Sequence, residues 1–515
     1  MVINGKIREV TEDMGMLKSI SLENYKCFEK LKVDDKEELE IAPLTVLCGV
    51  NSSGKSSIIN SLLMLKQSYE SNSTSNNMKI NGSYIKAGTF EDISKDRTKQ
   101  PITFNVTYKL DRPPERYKRK QKISKFDVTA FKTLSKIYPY TYNITRFTIR
   151  SHIVIKHEDE TLQLKGNILS EQLIELGIYN GSSIITSTSI YLQHIQANQY
   201  LITVKNIPNG DNKIIESEVI LKGCTCYFEN FNLINAYSTN IYPRGTMVDG
   251  ILANIYLIFR MVALQYKNLH YLTPLRVYPQ RNYTLDSEND NVGIGGEFTP
   301  HLMYEYSNKK ITGFLPPEND ILSSATKFDL FSTFINKWMM YLNFGEYSLK
   351  KSFETIKLDI SNYNISNVGF GISQVLPILV TGLIQNPNET LLLEQPEIHL
   401  HPKAQMCIAD FLLLMAATKK RVIIETHSDH IINRIVRRCM ENSNMHKLTK
   451  IYFIDKEDKQ PSKIEEIKID PVDGALCENE NFFYQFASET EKIIDAGYKN
   501  LEKKRKMQDN VQDTI

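Results

Sequence analysis

The stretch Gly49–Ser56, which reads GVNSSGKS, decides the fold of this chain. It fits G-x-x-x-x-G-K-[ST], the pattern of a loop whose backbone N–H groups surround phosphate oxygens. The apolar run TVLCG before it is predicted to be a buried strand. Apolar residues at helical spacing predict a helix from about Lys55 to Tyr69. A chance match in a glycine-containing loop would not place strand, loop and helix in this order.

This loop carries the groups that a nucleoside triphosphate with magnesium requires. Lys55 is placed to reach the β- and γ-phosphate oxygens, and the Ser56 hydroxyl is placed to bind Mg²⁺. The N-terminus of the following helix adds a positive dipole end. We therefore predict ATP and Mg²⁺ as cofactors. The predicted nucleotide-binding residues of the loop are Gly49, Asn51, Ser52, Ser53, Gly54, Lys55, Ser56 and Ser57.

Two further apolar strands are followed by candidate catalytic groups. The segment LLLEQPEIHLHP at 391–402 predicts a buried strand with Glu394 at its carboxyl end, which is where α/β sheets place ligand groups. Glu394 is therefore the candidate carboxylate for the metal, together with Ser56. Another strand, Val422–Ile424, is followed shortly by His427, which is the candidate for sensing the γ-phosphate.

A second helix N-terminus suited to an anion is predicted in SNVGFGISQVLPILV, residues 366–380. Gly369 and Gly371 are predicted to form a tight turn, and Ser373 and Gln374 to begin an apolar helix. One nucleotide does not need two phosphate-binding turns from one chain. We therefore predict a composite site that is completed across an interface between two copies.

The bulk composition sets outer limits on the kind of protein. With 515 residues the chain exceeds the size that one core usually supports, so two or three structural units are expected. The net charge of +2 gives no overall bias toward nucleic acid or membrane. No apolar run approaches the ~20 residues needed to cross a bilayer, and the first residues lack the apolar core of a signal peptide. These features predict a cytoplasmic protein without membrane contact.

The order of these motifs resembles the ABC-type ATPases of the SMC and RecF class. In that class a P-loop, or Walker A motif, is followed by a long insertion, a signature loop, a Walker B strand and a switch histidine. Residues 17–110 and 365–455 carry the resemblance. Within the class it is strongest to the OLD-like ATPases of bacterial anti-phage systems, including the ATPase subunits of Septu and some retrons. The supporting motifs are VGFGISQVLP, LEQPEIHLHP, ETHSD, PLRVYPQRNY and VGIGGE.

The resemblance implies an α/β fold, the ABC-type P-loop ATPase head. In this fold a mixed sheet is flanked by helices, and a large insertion here separates Walker A from the signature motif. The resemblance also implies a homodimer, or a higher even-numbered homo-oligomer, with ATP held between subunits. His427 would be the switch histidine, and Lys26 matches a basic position near the nucleotide. The residues that would cap the γ-phosphate of the opposite subunit's ATP are Gly369, Gly371, Ser373 and Gln374.

Two departures from the pattern of that class predict weak hydrolysis. Walker B there ends in Asp-Glu, a metal ligand followed by a general base, whereas this chain has Glu394 and Gln395. Glutamine can orient a water molecule but cannot take its proton, so Glu397 is the alternative base. Phe370 takes the place of a serine in the signature loop, which leaves that phosphate contact to backbone N–H groups or Ser373. The predicted catalytic residues are Glu394, Gln395, Glu397 and His427.

The resemblance also predicts how the chain is divided. The expected parts are an N-terminal extension (1–15), the N-terminal lobe of the ATPase head (16–110), an inserted β-containing and helical region (111–345), the C-terminal lobe (346–470) and a tail (471–515). Residues 326–350 are predicted to be helical.

The inserted region contains the basic segment RPPERYKRKQKISK. Its cations and its tyrosine suit contacts to the phosphates of DNA or RNA, although a solvated run of charge is the alternative. The candidate contacts are Arg116, Lys118, Arg119 and Lys120. Arg276 and Arg281 are further candidates for approaching nucleotide or DNA.

Two functions are compatible with these patterns. The resemblance implies an ATP-binding, slowly hydrolysing sensor and scaffold of a prokaryotic anti-phage complex, which controls a separate nuclease or toxin. The alternative is a RecF-like DNA repair or maintenance ATPase that clamps DNA directly. Nuclease activity of the chain itself is not expected, because the acidic cluster Asp455, Glu457 and Asp458 lies in a predicted hairpin turn.

Overall fold

The strand before the GVNSSGKS loop lies inside a seven-stranded sheet. The strands of this sheet are β4 (Leu44–Gly49), β12 (Leu269–Leu272), β19 (Thr390–Glu394), β20 (Arg421–Glu425), β21 (Thr449–Asp455), β22 (Lys463–Asp470) and β23 (Gly474–Leu476). Their spatial order is β12-β19-β20-β4-β21-β22-β23. The first five are parallel to one another, whereas β22 pairs antiparallel with β21, and β23 pairs antiparallel with β22. The carboxyl ends of β4, β19 and β20 therefore lie at one edge of this mixed sheet.

This computed structural model describes most of the chain. The described residues are 16–71, 77–111, 144–158, 166–180, 182–196, 199–208, 217–229, 232–238, 247–284, 290–457, 460–470, 472, 474–476, 494 and 498. Among the described helices, none is long and apolar enough to cross a membrane.

A ten-stranded antiparallel sheet forms the second large element. Its strands are β1 (Met16–Tyr25), β2 (Phe28–Lys30), β3 (Leu39–Glu40), β5 (Ile102–Asp111), β6 (Arg146–Glu158), β7 (Gly166–Asn180), β8 (Ser183–Gln196), β9 (Gln199–Pro208), β10 (Ser217–Glu229) and β11 (Asn232–Ser238). The order is β11-β10-β9-β8-β7-β6-β5-β1-β2, with β3 also paired to β1. Along β5, buried Phe104, Val106 and Tyr108 alternate with partly exposed residues, as a sheet with one buried face requires.

Nine helices complete the described part of the chain. They are α1 (Lys55–Tyr69), α2 (Phe90–Ile93), α3 (Met247–Lys267), α4 (Thr299–Tyr306), α5 (Phe331–Tyr341), α6 (Phe370–Ile384), α7 (Pro402–Ala417), α8 (Asp429–Glu441) and α9 (Ser443–Lys447). Single turns of 3-10 helix occur at Lys95–Arg97 and Ile365–Asn367. Smaller strands are β13 (Tyr283–Thr284), β14 (Lys310–Phe314), β15 (Thr326–Leu330), β16 (Tyr347–Ser352), β17 (Thr355–Ile360) and β18 (Tyr363–Asn364).

Two hydrophobic cores lie on opposite faces of the seven-stranded sheet. In β19, Leu392 packs in the core shared with α1, α3 and the antiparallel sheet. Its neighbours Leu391 and Leu393 pack in the other core, which contains α4 to α8. A parallel strand covered on both faces needs an uninterrupted apolar run, which is why LLL precedes Glu394. Because the sheet is packed on both faces, it can hold side chains at its carboxyl edge in fixed positions.

The sequence predicted several of these elements. The predicted helix Lys55–Tyr69 and the strand before it are confirmed, as is the mixed sheet flanked by helices. The helix predicted at 326–350 is wrong over most of its length. Residues 326–330 form β15, which pairs with β14, and only Phe331–Tyr341 is α-helical before Gly345 turns the chain at a φ of 84°.

The region between the P-loop helix and the signature segment contributes to both large sheets. Strands β6 to β11 continue the sheet that begins with β1, whereas β12 forms an edge of the seven-stranded sheet beside β19. Residues of this region therefore contact the rest of the chain through both sheets rather than through one connection. Tyr69 of α1 and Tyr266 of α3 also stack, with ring centroids 4.7 Å apart.

Candidate nucleotide-binding site

The GVNSSGKS loop has the backbone shape that cradles phosphate. Gly49 and Gly54 adopt φ angles of 127° and 113°, which strain any other residue. A Cβ at Gly49 would lie 2.0 Å from the Ile454 oxygen, and one at Gly54 would lie 2.3 Å from Cys27 Sγ. Both glycines are therefore required by close packing as well as by their φ angles.

Lys55 lies at the start of α1 with its ammonium turned into the loop. Its Nζ donates hydrogen bonds to the Gly49 oxygen at 3.1 Å and to the Val50 oxygen at 2.5 Å. Burial lowers the pKa of Lys55. A buried ammonium whose hydrogen bonds go only to carbonyl oxygens is well suited to an anionic ligand, because phosphate oxygens would compensate its lost hydration.

The carboxylate that contacts Ser56 is Glu425. Ser56 Oγ donates to Glu425 Oε1 at 2.9 Å, while Glu394 Oε1 accepts from the Tyr271 hydroxyl at 2.9 Å. Glu394 and Glu425 are register neighbours at the ends of β19 and β20. Sequence reasoning missed Glu425, although the run RVIIE ends in a carboxylate in the same way as LLLE does. The predicted metal carboxylate is thus one of a pair.

This carboxylate pair is electrostatically suited to a cation. Burial, together with the nearby Glu425 carboxylate, raises the pKa of Glu394 to about 7. Burial also raises the pKa of Glu425. A cation between the two groups would favour both negative charges. Within the described residues, Glu425 Oε2 and Ser53 Oγ are buried without a hydrogen-bond partner, so polar atoms remain for a ligand.

The site fits a magnesium ion that is shared with phosphate. In the described part of the chain, no group of three or more His, Cys, Asp and Glu side chains is arranged to hold a metal by itself. Mg²⁺ commonly binds through one or two carboxylates together with substrate phosphates and water. Ser56, Glu394 and Glu425 would be the protein's contribution to such a coordination shell.

Glu397, the alternative base, is hydrogen-bonded to the residues that follow β20. It accepts hydrogen bonds from the Thr426 hydroxyl at 2.9 Å and from the His427 backbone N–H at 2.7 Å. Burial raises its pKa. Glu397 therefore ties the Walker B turn to the residues after β20. Gln395, which precedes it, has a φ of 44° and donates its backbone N–H to the Glu425 oxygen at 2.8 Å.

His427 follows β20 at the exposed surface of the same edge. Burial of part of the ring, together with the nearby Lys55 charge, lowers its pKa. A lowered pKa favours the neutral imidazole, which can accept or donate a hydrogen bond. The influence of the Lys55 charge shows that the switch-histidine candidate lies near the P-loop lysine.

The signature segment forms a helix N-terminus, but the predicted tight turn is wrong. Helix α6 begins at Phe370, with Gly369 as its N-cap at a φ of −56°, and Gly371 lies within its first turn. Gly371 is needed for close packing, since a Cβ there would lie 2.6 Å from the His399 oxygen. Ser373 Oγ donates to the Phe370 oxygen at 2.7 Å, so its hydroxyl is engaged inside the helix.

Lys26 lies in the turn between β1 and β2, with a φ of 49°. Its backbone N–H donates to the Ile93 oxygen at 2.7 Å, and burial lowers the pKa of its ammonium. The next residue, Cys27, places its Sγ 3.7 Å from the Ser53 oxygen. The turn that carries Lys26 therefore packs directly against the P-loop.

The nucleic-acid candidates Arg116, Lys118, Arg119 and Lys120 lie outside the described residues. Arg276, a candidate for approaching nucleotide or DNA, is buried, and its guanidinium donates to the Glu394 and Gln395 main-chain oxygens. Arg281 is exposed on the same segment. Of the acidic cluster predicted in a turn, Asp455 ends β21 and Glu457 follows it, whereas Asp458 lies outside the described residues.

The chain is similar to one family of known proteins and to several solved structures. The family model described as AAA ATPase domain matches residues 16–247 and 297–432. No curated protein matches the chain. The SMC head bound to the C-winged helix domain of ScpA aligns with 88% of this chain and 98% of its own, at 12% identity and a TM-score of 0.35.

Two further solved structures align with similar coverage, sequence identity and TM-score. The SMC head domain from Thermotoga maritima aligns with 88% of this chain and 100% of its own, at 9% identity and a TM-score of 0.31. The Smc head with an extended coiled coil, bound to the C-terminal domain of ScpA and derived from Pyrococcus furiosus, aligns with 88% and 97%, at 10% identity and a TM-score of 0.35.

Proposed function

Because this chain belongs to the AAA ATPase domain family, whose model matches most of its length, we propose that it is an ATP-dependent switch that hydrolyses ATP slowly. One observation carries the proposal. Where a general base is expected, the chain has Gln395, and the nearest alternative, Glu397, already accepts hydrogen bonds from Thr426 and His427. A water molecule at the γ-phosphate would be oriented without a free carboxylate to take its proton.

In this proposal ATP binds at the carboxyl edge of the seven-stranded sheet. Lys55 and the backbone of Gly49–Ser57 would hold the phosphates. Ser56, with Glu394 and Glu425, would hold Mg²⁺, which compensates the phosphate charge. His427 would contact the γ-phosphate end, and Lys26 would lie beside the nucleotide.

The proposed site is composite and needs a second copy of the chain. The N-terminus of α6 has no hydrogen bond from a capping side chain. A Cβ added at Gly369 would meet no atom within 4 Å among the described residues. The first backbone N–H groups of α6 are thus available to an anion from outside. Gly369 and Gly371 would approach the ATP of the opposite subunit, with Ser373 acting through its backbone. Gln374, also expected there, is fully buried, and its side-chain oxygen accepts a hydrogen bond from the Arg276 backbone N–H.

The biological role we propose is that of a sensor and scaffold in a prokaryotic anti-phage complex in the cytoplasm. A long-lived ATP state would hold or release a separate effector, a nuclease or toxin, and the chain itself would not cut nucleic acid. The motif resemblance supports this role. The RecF-like alternative, a direct DNA clamp in repair or maintenance, is favoured by the basic run that contains Arg116 and Lys118–Lys120.

Sizing of the purified chain tests the proposed switch. We expect a larger, even-numbered oligomer with ATP and Mg²⁺ than with ADP or without nucleotide, because only the γ-phosphate can bridge the P-loop and a second signature helix. Light scattering on a sizing column measures this. Identical masses in all three conditions would contradict the composite site. ATP-dependent binding of duplex DNA by the isolated chain, weakening steeply with salt, would favour the alternative role.

Gln395→Glu is expected to raise the rate of ATP hydrolysis. A carboxylate at this position can take the proton of the attacking water, and general-base catalysis typically contributes a factor of about 100 or more. We expect an increase in kcat of at least about tenfold at unchanged ATP affinity. Steady-state phosphate release measures it. Gln460→Glu makes the same change at an exposed position and should leave kcat unaltered. A folded Gln395→Glu variant with the original kcat would show that hydrolysis is limited elsewhere.

A further inference from the structure

Arg276 occupies an unusual position for an arginine. It follows β12 and is only 2% exposed. Its guanidinium donates to three main-chain oxygens: Nη1 to Pro274 at 3.0 Å and to Gln395 at 3.1 Å, and Nη2 to Glu394 at 3.0 Å. Two of these oxygens belong to the end of the Walker B strand. The side chain therefore clamps the backbone from which the Glu394 and Gln395 side chains project.

The main chain of the same residue holds the signature helix. The Arg276 backbone N–H donates to Gln374 Oε1 at 3.1 Å, and Gln374 in α6 is fully buried. One residue thus contacts the first turns of α6 through its backbone and the carboxyl end of β19 through its side chain. Gly371 also brings α6 against the segment that follows β19, by its close approach to the His399 oxygen.

Stability alone does not account for a charged residue here. A buried guanidinium keeps its charge and loses its hydration, and charge burial is usually not more stabilising than apolar packing. Burial lowers the pKa of Arg276, and the nearby Glu397 and Glu394 charges, which favour its charged form, partly offset that effect. Its Nε has no hydrogen-bond partner among the described residues. The planar guanidinium instead fixes geometry, because its several hydrogen bonds hold the contacted carbonyl groups in place relative to one another.

The neighbours of Arg276 lie on the surface beside the α6 N-terminus. Leu275 and Tyr278 are 66% and 78% exposed, and Val277 is also exposed. The Tyr278 ring stacks on Phe370 with centroids 4.7 Å apart. The segment 275–278 therefore presents apolar side chains at the surface where the proposed second subunit would sit, while Arg276 reaches the Walker B end beneath it.

We propose that Arg276 is a positioning residue that couples the signature helix to the Walker B end, so that engagement of the α6 surface sets the geometry of Glu394 and Gln395. The inference rests on the proposed function, since it assigns a regulator to that ATP site. It predicts that loss of the guanidinium impairs hydrolysis more than nucleotide binding. A residue that served only stability would affect both together with the melting temperature.

Arg276→Gln is the test, with Arg276→Lys and the control Lys327→Gln beside it. The probe for binding is a fluorescent ribose-labelled ATP with Mg²⁺, and phosphate release gives kcat. We expect kcat to fall about tenfold or more, which is typical of losing an outer-shell partner, while the Kd of the labelled ATP changes less than about twofold. Arg276→Lys keeps the charge without the fork and should recover part of kcat. Lys327→Gln removes an exposed charge from β15, a strand with no residue of the proposed site, and should match the wild type.

The outcomes separate this inference from the proposed function. A wild type that binds no labelled ATP would overturn the proposed function and with it the role of Arg276. A wild type that binds and hydrolyses ATP, beside a folded Arg276→Gln variant with the same kcat, would overturn the role of Arg276 alone. If Arg276→Gln does not fold, Arg276→Lys decides, because an unchanged kcat in that variant would likewise overturn the inference.

Discussion

Lys55→Ala is expected to abolish ATP binding in the concentration range where the wild type is saturated. The ammonium now bonded to the Gly49 and Val50 oxygens is the charged donor closest to the expected phosphates. Two charge-assisted hydrogen bonds at about 1.5 kcal/mol each correspond to a loss of affinity of about 100-fold. Titration with fluorescent ATP measures the loss directly. Light scattering should then show one mass with or without ATP, because the nucleotide bridge between subunits is missing.

The control for this variant is Lys403→Ala, which removes an exposed lysine from the start of α7. It should bind ATP and assemble like the wild type. Alanine is well tolerated at the start of a helix, so Lys55→Ala should unfold at a temperature near that of the wild type. A Lys55→Ala protein that still forms the ATP-dependent oligomer would contradict the composite site, since P-loop contacts would then be dispensable for assembly.

Glu425→Gln is expected to raise the Mg²⁺ concentration needed for ATP binding by about tenfold or more, as the loss of a metal-site carboxylate usually does. The amide oxygen can still accept the hydrogen bond from Ser56, so the local packing is preserved. What is lost is one of the two buried negative charges at this edge. Binding of fluorescent ATP as a function of Mg²⁺ concentration measures the effect, and hydrolysis should fall in parallel.

Stability provides the check that this effect is electrostatic. A buried amide costs less desolvation than a buried carboxylate, so Glu425→Gln should not lower the melting temperature. Glu354→Gln, the same change at an exposed hairpin turn, should leave the Mg²⁺ requirement unaltered. If Glu425→Gln retains the original Mg²⁺ requirement, Glu394 alone would supply the metal charge, as the sequence suggested.

The parts of the site that the sequence predicted are those that local rules determine. GVNSSGKS requires its two glycines and its lysine at fixed spacing, and LLLE shows a buried strand that ends in a carboxylate. The sequence did not predict that Glu425 and Arg276 belong to the site, because their positions depend on which strands lie side by side. The register of β19 with β20 pairs Glu394 with Glu425, and β12 beside β19 brings Arg276 within reach of Glu394.

The two errors in secondary structure have related causes. Residues 326–330 became β15 because β14, earlier in the chain, offers backbone partners that outweigh helical preference. Gly371 was assigned to a turn because glycine often permits unusual φ angles. In the structure it serves the approach of α6 to the His399 oxygen, which no local pattern reveals. Both cases depend on contacts between distant residues.

The antiparallel sheet would convert a small tilt near the nucleotide site into a larger movement of its distal strand. The β1–β2 turn packs Cys27 against the P-loop, and β11 lies seven strand positions away from β1 across the sheet. At a spacing of about 4.8 Å per strand, the far edge stands about 34 Å from that pivot. A tilt of about 10° at the pivot, small for a sheet that stays internally rigid, would carry β11 through about 6 Å. A tilt that barely moves the residues at the phosphates would thus move β11, at the distal edge, by about the length of a side chain.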